Sequence, residues 1–173
     1  VTTKTSTQLV FDLFNRMNSG LQYPLSPTNV VLGAPATNDN GAISKNTKAT
    51  LTAIGGQGYS GSTTVYYNRV DLADILATGS SNFPLTNQVS SADILALWNA
   101  AFNTNLIAAD IVVEALPAPA ANGSISYTLK ANTASPAFIG QAALVLAPAA
   151  IPLSTAITTT DMTGLSVSDV TAA

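Results

Sequence analysis

The chain has 173 residues, enough to bury a real core as one domain or as two small, closely joined halves. Apolar residues make up 47%, which excludes a disordered chain, yet only 9% are charged, against about 25% in an average soluble protein. The net charge of −3 and six scattered basic residues leave no basic stripe for nucleic acid.

In chain order, Ser6 or Thr7 is placed to cap a first helix over about 6–18. Leu9, Val10, Leu13, Phe14 and Met17 form one apolar stripe, with Asp12, Asn15 and Arg16 facing away, a pattern that packs on the protein's own sheet. Asn18-Ser19-Gly20 stops the helix, and Pro24 and Pro27 keep the chain extended into a strand at Val30 to Leu32. Ala49, Leu51 and Ala53 then alternate with Thr50, Thr52 and Ile54, the period of a half-buried strand. Gly55, Gly56, Gly58 and Gly61 crowd an interval that calls for positive φ. The β-branched and aromatic run Thr63 to Tyr67 returns from it, so a hairpin is expected over about 43–70.

The polar stretch 78–89 reads as a linker between a first α+β unit, 1–77, and a second, 90–173. Ser90 or Ser91 caps a second helix over about 91–103, and Ser90 with Asp93 forms a capping box in which Asp replaces Glu. Ile94, Leu95, Leu97, Trp98, Ala101 and Phe102 supply its apolar side, with Trp98 in the core. Pro117 and Pro119 forbid a central strand between Leu116 and Ala121. A second hairpin is expected over about 124–146. Its first strand sets Ile125, Tyr127, Leu129 and Ala131 against Ser126, Thr128 and Lys130; its second, Ile139 to Leu146, follows a turn at Ser135-Pro136. The tail from Ile151 offers an edge strand at Ala156 to Thr160. No apolar run reaches about 18 residues, so no membrane span is expected, and the N-terminus shows no apolar signal region.

The two halves echo one another. Leu13-Phe14-Asn15 matches Leu97-Trp98-Asn99, and Leu25 to Val30 matches Leu106 to Ile111, each leading into an apolar strand. Asn40-Gly41 matches Asn122-Gly123, and Tyr59-Ser60-Gly61 matches Phe138-Ile139-Gly140. The order helix, turn, strand, Asn-Gly, hairpin therefore occurs twice, about 80 residues apart. The expected fold class is α+β: two related helix-plus-antiparallel-hairpin units packed as a sheet or β-sandwich with two main helices. Gly61 and Gly140 should sit at equivalent points, each two residues after an aromatic side chain that tucks inward.

Enzymatic equipment is missing. The chain has no histidine and no cysteine, which removes the commonest general base, the commonest metal ligand and every thiolate site. Asp71 with Asp74 on a helical face, and Asp110 with Glu114 on a strand face, are candidate carboxylate pairs, and both read as scattered surface acids. Asn38-Asp39-Asn40-Gly41 lacks the alternating acids and closing Glu of a calcium loop. Gly55 to Gly61 lacks the Lys-Ser/Thr of a phosphate loop and reads as hairpin glycines. Asn122-Gly123-Ser124 fits a glycosylation sequon. No catalytic, cofactor-binding or metal-binding residue is expected, and no cofactor, small-molecule substrate, nucleic acid or membrane as partner.

The run Gly58-Tyr59-Ser60-Gly61-Ser62-Thr63-Thr64-Val65-Tyr66-Tyr67-Asn68-Arg69-Val70-Asp71-Leu72 resembles a family of small virion structural proteins of tailed bacteriophages, especially large-genome myophages. Members look like this chain in an N-terminal helix, a Gly-Tyr-Ser/Thr-Gly-Ser hairpin and a Tyr-Asn-Arg-Leu-Asp-Leu run; here Val70 replaces the usual Leu. The stretch from Ser91 through Ile139-Gly140 to Thr158-Thr159-Thr160 is also similar to that family's later half. The resemblance implies a non-enzymatic virion component, favouring capsid decoration over tail, neck or baseplate, with other virion proteins and copies of itself as partners. A poorly charged surface rich in Ser, Thr and Ala suits such contacts, because it costs less to desolvate than a charged one. The contrasting expectation is a carbohydrate-binding adhesion module, for which Tyr59, Tyr66 and Tyr67 would have to stand exposed and coplanar.

Overall fold

The computed structural model describes residues 4–149, so the expected strand at Ala156 to Thr160 lies outside the described residues. The fold is α+β. Helix α1 (Ser6–Met17) precedes strands β1 (Val30–Leu32), β2 (Ala36–Thr37), β3 (Thr47–Ala53) and β4 (Ser62–Tyr67). Strand β5 (Val70–Asp71) and the short helix α2 (Leu72–Leu76) lead to β6 (Asn82–Pro84) and helix α3 (Ser91–Phe102). A 3₁₀ turn (Ala108–Asp110) and strands β7 (Ile125–Lys130), β8 (Phe138–Ile139) and β9 (Gln141–Ala147) follow.

The described strands form three sheets rather than one continuous sheet. In the first, β3 lies between β4 on one side and β1 with β2 on the other, all antiparallel. In the second, β5 runs parallel to β8, with Val70 opposite Phe138. In the third, β9 pairs antiparallel with β7 and parallel with β6. The stretch 78–89, expected as a linker, therefore carries a strand. Three residues ending in proline give no period to read, and their order comes from β9, with Phe83 buried beneath.

Helix α1 buries Val10, Phe11 and Phe14 against Val30, Ala49, Leu51 and Tyr67. Its buried face is turned toward Phe11 relative to the expected stripe, leaving Leu9 39% and Met17 72% exposed. Thr5, one residue before the expected cap, closes the helix start in a capping box with Gln8. Helix α3 buries Ile94, Leu95 and Trp98 among Leu106, Ile111, Leu129, Phe138, Leu144 and Leu146, whereas Ala101 faces solvent. Among the described residues the Trp98 indole N–H has no partner. Leu72 also enters this second cluster, although it stands before the expected boundary at 77. Among the described residues, Ala137 packs against both clusters.

The echo between the halves extends to individual hydrogen bonds. The Asn15 side chain donates to the Leu25 carbonyl (2.8 Å) and accepts from its N–H (2.6 Å). The Asn99 side chain does the same to Leu106, at 2.8 Å both ways. Asn29 Oδ1 accepts from the Ser26 N–H, and Asp110 Oδ2 accepts from the Ile107 N–H. The Asn29 carbonyl accepts from Ile54, the Asp110 carbonyl from Asn132. Ala53 donates to the Gly61 carbonyl and Ala131 to the Gly140 carbonyl, each at 2.9 Å, with φ of +79° and +78° at the two glycines. Val30 lies opposite Ala53, and Ile111 opposite Ala131. The order β1–β3–β4 thus has its counterpart in Ile111–β7–β9, with the difference that β1 is a strand and Ile111 a single bridge. The apolar strand expected after Leu106 is reduced to two isolated bridges, Ile111 with Ala131 and Ala115 with Ser90, because its later residues bond to the start of α3: the Ser91 N–H donates to the Glu114 carbonyl and the Leu116 N–H to the Val89 carbonyl.

Asp93 shows how a cap can be tested. Its carboxylate accepts from the backbone N–H groups of Val89 and Ser90 and from the Ser90 hydroxyl. The Val89 N–H above all, then Ser90, holds its pKa below the ordinary 3.8. A depressed folded-state pKa contributes stability above the unfolded value and loses it as pH falls through the folded one. Melting curves at falling pH, below about pH 4, should show wild type losing more stability than Asp93→Asn, which has no charge to titrate. Equal losses would mean the cap carries no ionic contribution.

Candidate functional site

The residues that sequence reading picked out do not converge. Tyr67 is buried, meets Phe14 edge-on at 5.5 Å between ring centres, and donates its hydroxyl to the Pro136 carbonyl at 2.9 Å. Tyr59 is half-buried, packs edge-on against Tyr23, and donates to the Tyr23 carbonyl. Tyr66 points to the opposite face of β4 from Tyr67. The three rings therefore form no common plane.

The carboxylate pairs are likewise apart in role. Asp71 caps α2 through the Ala73 N–H at 2.9 Å, while Asp74 stands exposed in its first turn. Asp110 is 1% exposed, which corrects its reading as a surface acid. Its Oδ1 accepts from the Ser135 hydroxyl at 2.8 Å. Burial is possible because the carboxylate is held by donors on both oxygens, the position a neutral Asn29 occupies in the first half. Glu114 instead faces Lys130 and Tyr127, both 3.0 Å away. Lys130 first and Tyr127 second lower its pKa. Asp110 and Glu114 share no partner.

The Asn38–Gly41 segment is a turn braced by its own side chains. Asn38 donates to the Ile43 and Lys45 carbonyls, and Asp39 pairs with Lys48. Gly56, Gly58 and Gly61 take positive φ in the loop joining β3 to β4, as expected for hairpin glycines. The Asn122 side chain accepts from the Ser124 N–H, as Asn40 does from Ala42. Among the described residues there is no group of three or more Asp or Glu that could hold a metal ion.

What does converge is the junction between the first sheet and the loop joining β7 to β8, around Arg69. Its side chain is 7% exposed. Nε donates to the Thr47 hydroxyl at 2.9 Å, and Nη1 donates to the Thr133 and Ser135 carbonyls at 3.0 and 3.2 Å. Burial lowers the guanidinium pKa, opposed by Tyr67, and arginine remains charged regardless. The Asn46 side chain straddles the Arg69 backbone, accepting from its N–H and donating to its carbonyl. Asp71 lies so close over Gly140 that a Cβ there would meet its carboxylate. Arg69 is one of six scattered cations, and a lone arginine carries no local signal of burial.

Among curated proteins and solved structures, none matches this chain. A family profile does, over residues 1–172, and it is described as a family of unknown function. The chain belongs to that family, DUF7941.

Proposed function

We propose that this chain is a non-enzymatic structural component of a bacteriophage virion, a capsid decoration protein present in many copies and built of two related helix-plus-hairpin units. One observation carries the reading: the run that bears the resemblance, Gly58 to Leu72, is used for architecture. Gly61 turns the hairpin, Tyr67 and Arg69 reach across to residues 133–136, Asp71 caps α2, and Leu72 is fully buried. A ligand site would spend such side chains on open space; here they are tied to the protein's own backbone. The paired bonds of Asn15 and Asn99 support the related units.

Particle imaging tests the location. Purified phage particles should contain the chain in multiple copies, and cryo-electron microscopy should place it on the capsid lattice. Finding it at the tail, neck or baseplate would keep the virion reading and remove decoration. Absence from particles in which its gene is expressed would remove both.

A further inference from the structure

Arg69 commits only part of its guanidinium to the junction. Nε and Nη1 donate to Thr47, Thr133 and Ser135, whereas Nη2 has no partner among the described residues. Nor is Nη2 sealed off. Among the described residues the Trp98 indole nitrogen is the one fully buried side-chain nitrogen or oxygen without a bond, so Nη2 keeps a share of the 7% exposure of Arg69. The cleft that Arg69 borders has a volume of about 610 Å³. Thr37 and Thr133 line it beside the guanidinium, and Val112, Ala131 and Ile139 give it an apolar wall.

The charge of Arg69 is also unanswered. Among the described residues the ion pairs are Lys4 with Asp12, Lys48 with Asp39 and Lys130 with Glu114, and Arg69 joins none of them. Asp110 meets the same loop only through the Ser135 hydroxyl, and Asp71 lies over Gly140, where it caps α2. A buried cation with neutral partners alone is costly, and a counter-ion entering the cleft would relieve that cost. The lining selects the kind of anion. Lys130 also borders the cleft but is already answered by Glu114 at 3.0 Å, so one net positive charge is on offer. A monoanion matches that charge better than phosphate does. The apolar wall favours a short hydrocarbon body beside the charged head, the usual division of labour in a ligand cleft of this size.

We propose that this cleft binds a carboxylate carried on a short aliphatic stem, its oxygens accepting from Arg69 Nη2 and its stem lying against Val112, Ala131 and Ile139. A glutamate side chain of a protein neighbour and a free organic acid share that chemistry. Arg69 then serves twice: Nε and Nη1 hold the junction, and Nη2 receives the anion in a charge-assisted bond. The inference does not rest on the virion. A chain absent from particles that still binds a carboxylate would remove the location and leave the site.

NMR of the isotope-labelled full chain tests this at neutral pH, with ionic strength held constant by sodium chloride. Sodium butyrate should shift the Arg69 Nε–H signal and the Thr133 and Gln141 amides along a saturable millimolar curve. Neutral butyramide, of the same shape, should leave them in place, and phosphate should bind more weakly than butyrate. Gln141→Glu adds a negative charge to the lining and leaves every Arg69 bond intact, so it should weaken butyrate by about fivefold or more. Glutamate capped at both ends separates the two sources. Binding at least as tight as butyrate assigns the site to a protein neighbour's side chain, and weaker binding assigns it to a free acid. The proposal is overturned by no saturable shift, by equal shifts with butyramide, or by phosphate binding as tightly as butyrate. A Gln141→Glu variant that binds butyrate as well as wild type would overturn it too.

Discussion

Replacing Gly140 with alanine should destabilise the fold by about 4 kcal/mol, against about 1–2 kcal/mol for Gly61→Ala. Both glycines take a left-handed φ near +79° and both carbonyls accept the same inter-strand bond, so backbone strain alone predicts equal costs. Their surroundings separate them. A Cβ on Gly61 meets nothing within 4 Å, whereas one on Gly140 would lie 2.5 Å from Asp71 Cγ, with both carboxylate oxygens as close or closer. That carboxylate cannot swing aside without cost, because it caps α2 through the Ala73 N–H. Alanine at 140 therefore adds a collision, or the loss of a cap, to the strain. Urea unfolding of both variants checks the difference. The cause is checked by Asp71→Ala in the Gly140→Ala background, where the second change should cost at least about 1 kcal/mol less than it does alone. Equal costs at the two glycines would show that the contact with Asp71 relaxes freely.

The second large effect belongs to Arg69. Arg69→Ala should cost about 3–5 kcal/mol, since it removes charge-assisted bonds and strands the Thr133 and Ser135 carbonyls at a buried junction. The guanidinium reaches the Thr47 hydroxyl on β3 through Nε and two carbonyls before β8 through Nη1, two donor atoms where an ammonium offers one, so Arg69→Lys should recover less than half of the loss. Hydrogen exchange locates the damage. The Val70 N–H, bonded to the Ala137 carbonyl across the junction, should exchange far faster, while the amides between β7 and β9 should keep most of their protection. Uniform acceleration across the chain would mean that Arg69 supports one global unfolding unit and not a local clasp.

Much of the local structure was legible in the residues because it is written in periods and caps. Alternation at Ala49 to Ala53 and at Ile125 to Ala131 announces strands whose buried and exposed positions follow the pleat. Ser90 with Asp93 marks a helix start, and Gly61 with Gly140 marks two points of positive φ, since few other residues adopt that backbone. Even the correspondence of Asn15 with Asn99 could be read from spacing alone, although the bonds the two side chains make could not. Other features depended on partners far away in the chain, and no local pattern encodes those. Phe83 looked like linker because a three-residue strand has no period; β9, some 60 residues later, orders it. Phe11 enters the core because α1 settles on β3 and β4 at an angle that a helical wheel leaves undetermined. Asp110 and Arg69 are charged residues placed inside, and their types predict the opposite. Burial became possible only where the Ser135 hydroxyl and the Thr133 and Ser135 carbonyls were brought to meet them, which is a property of the assembled junction.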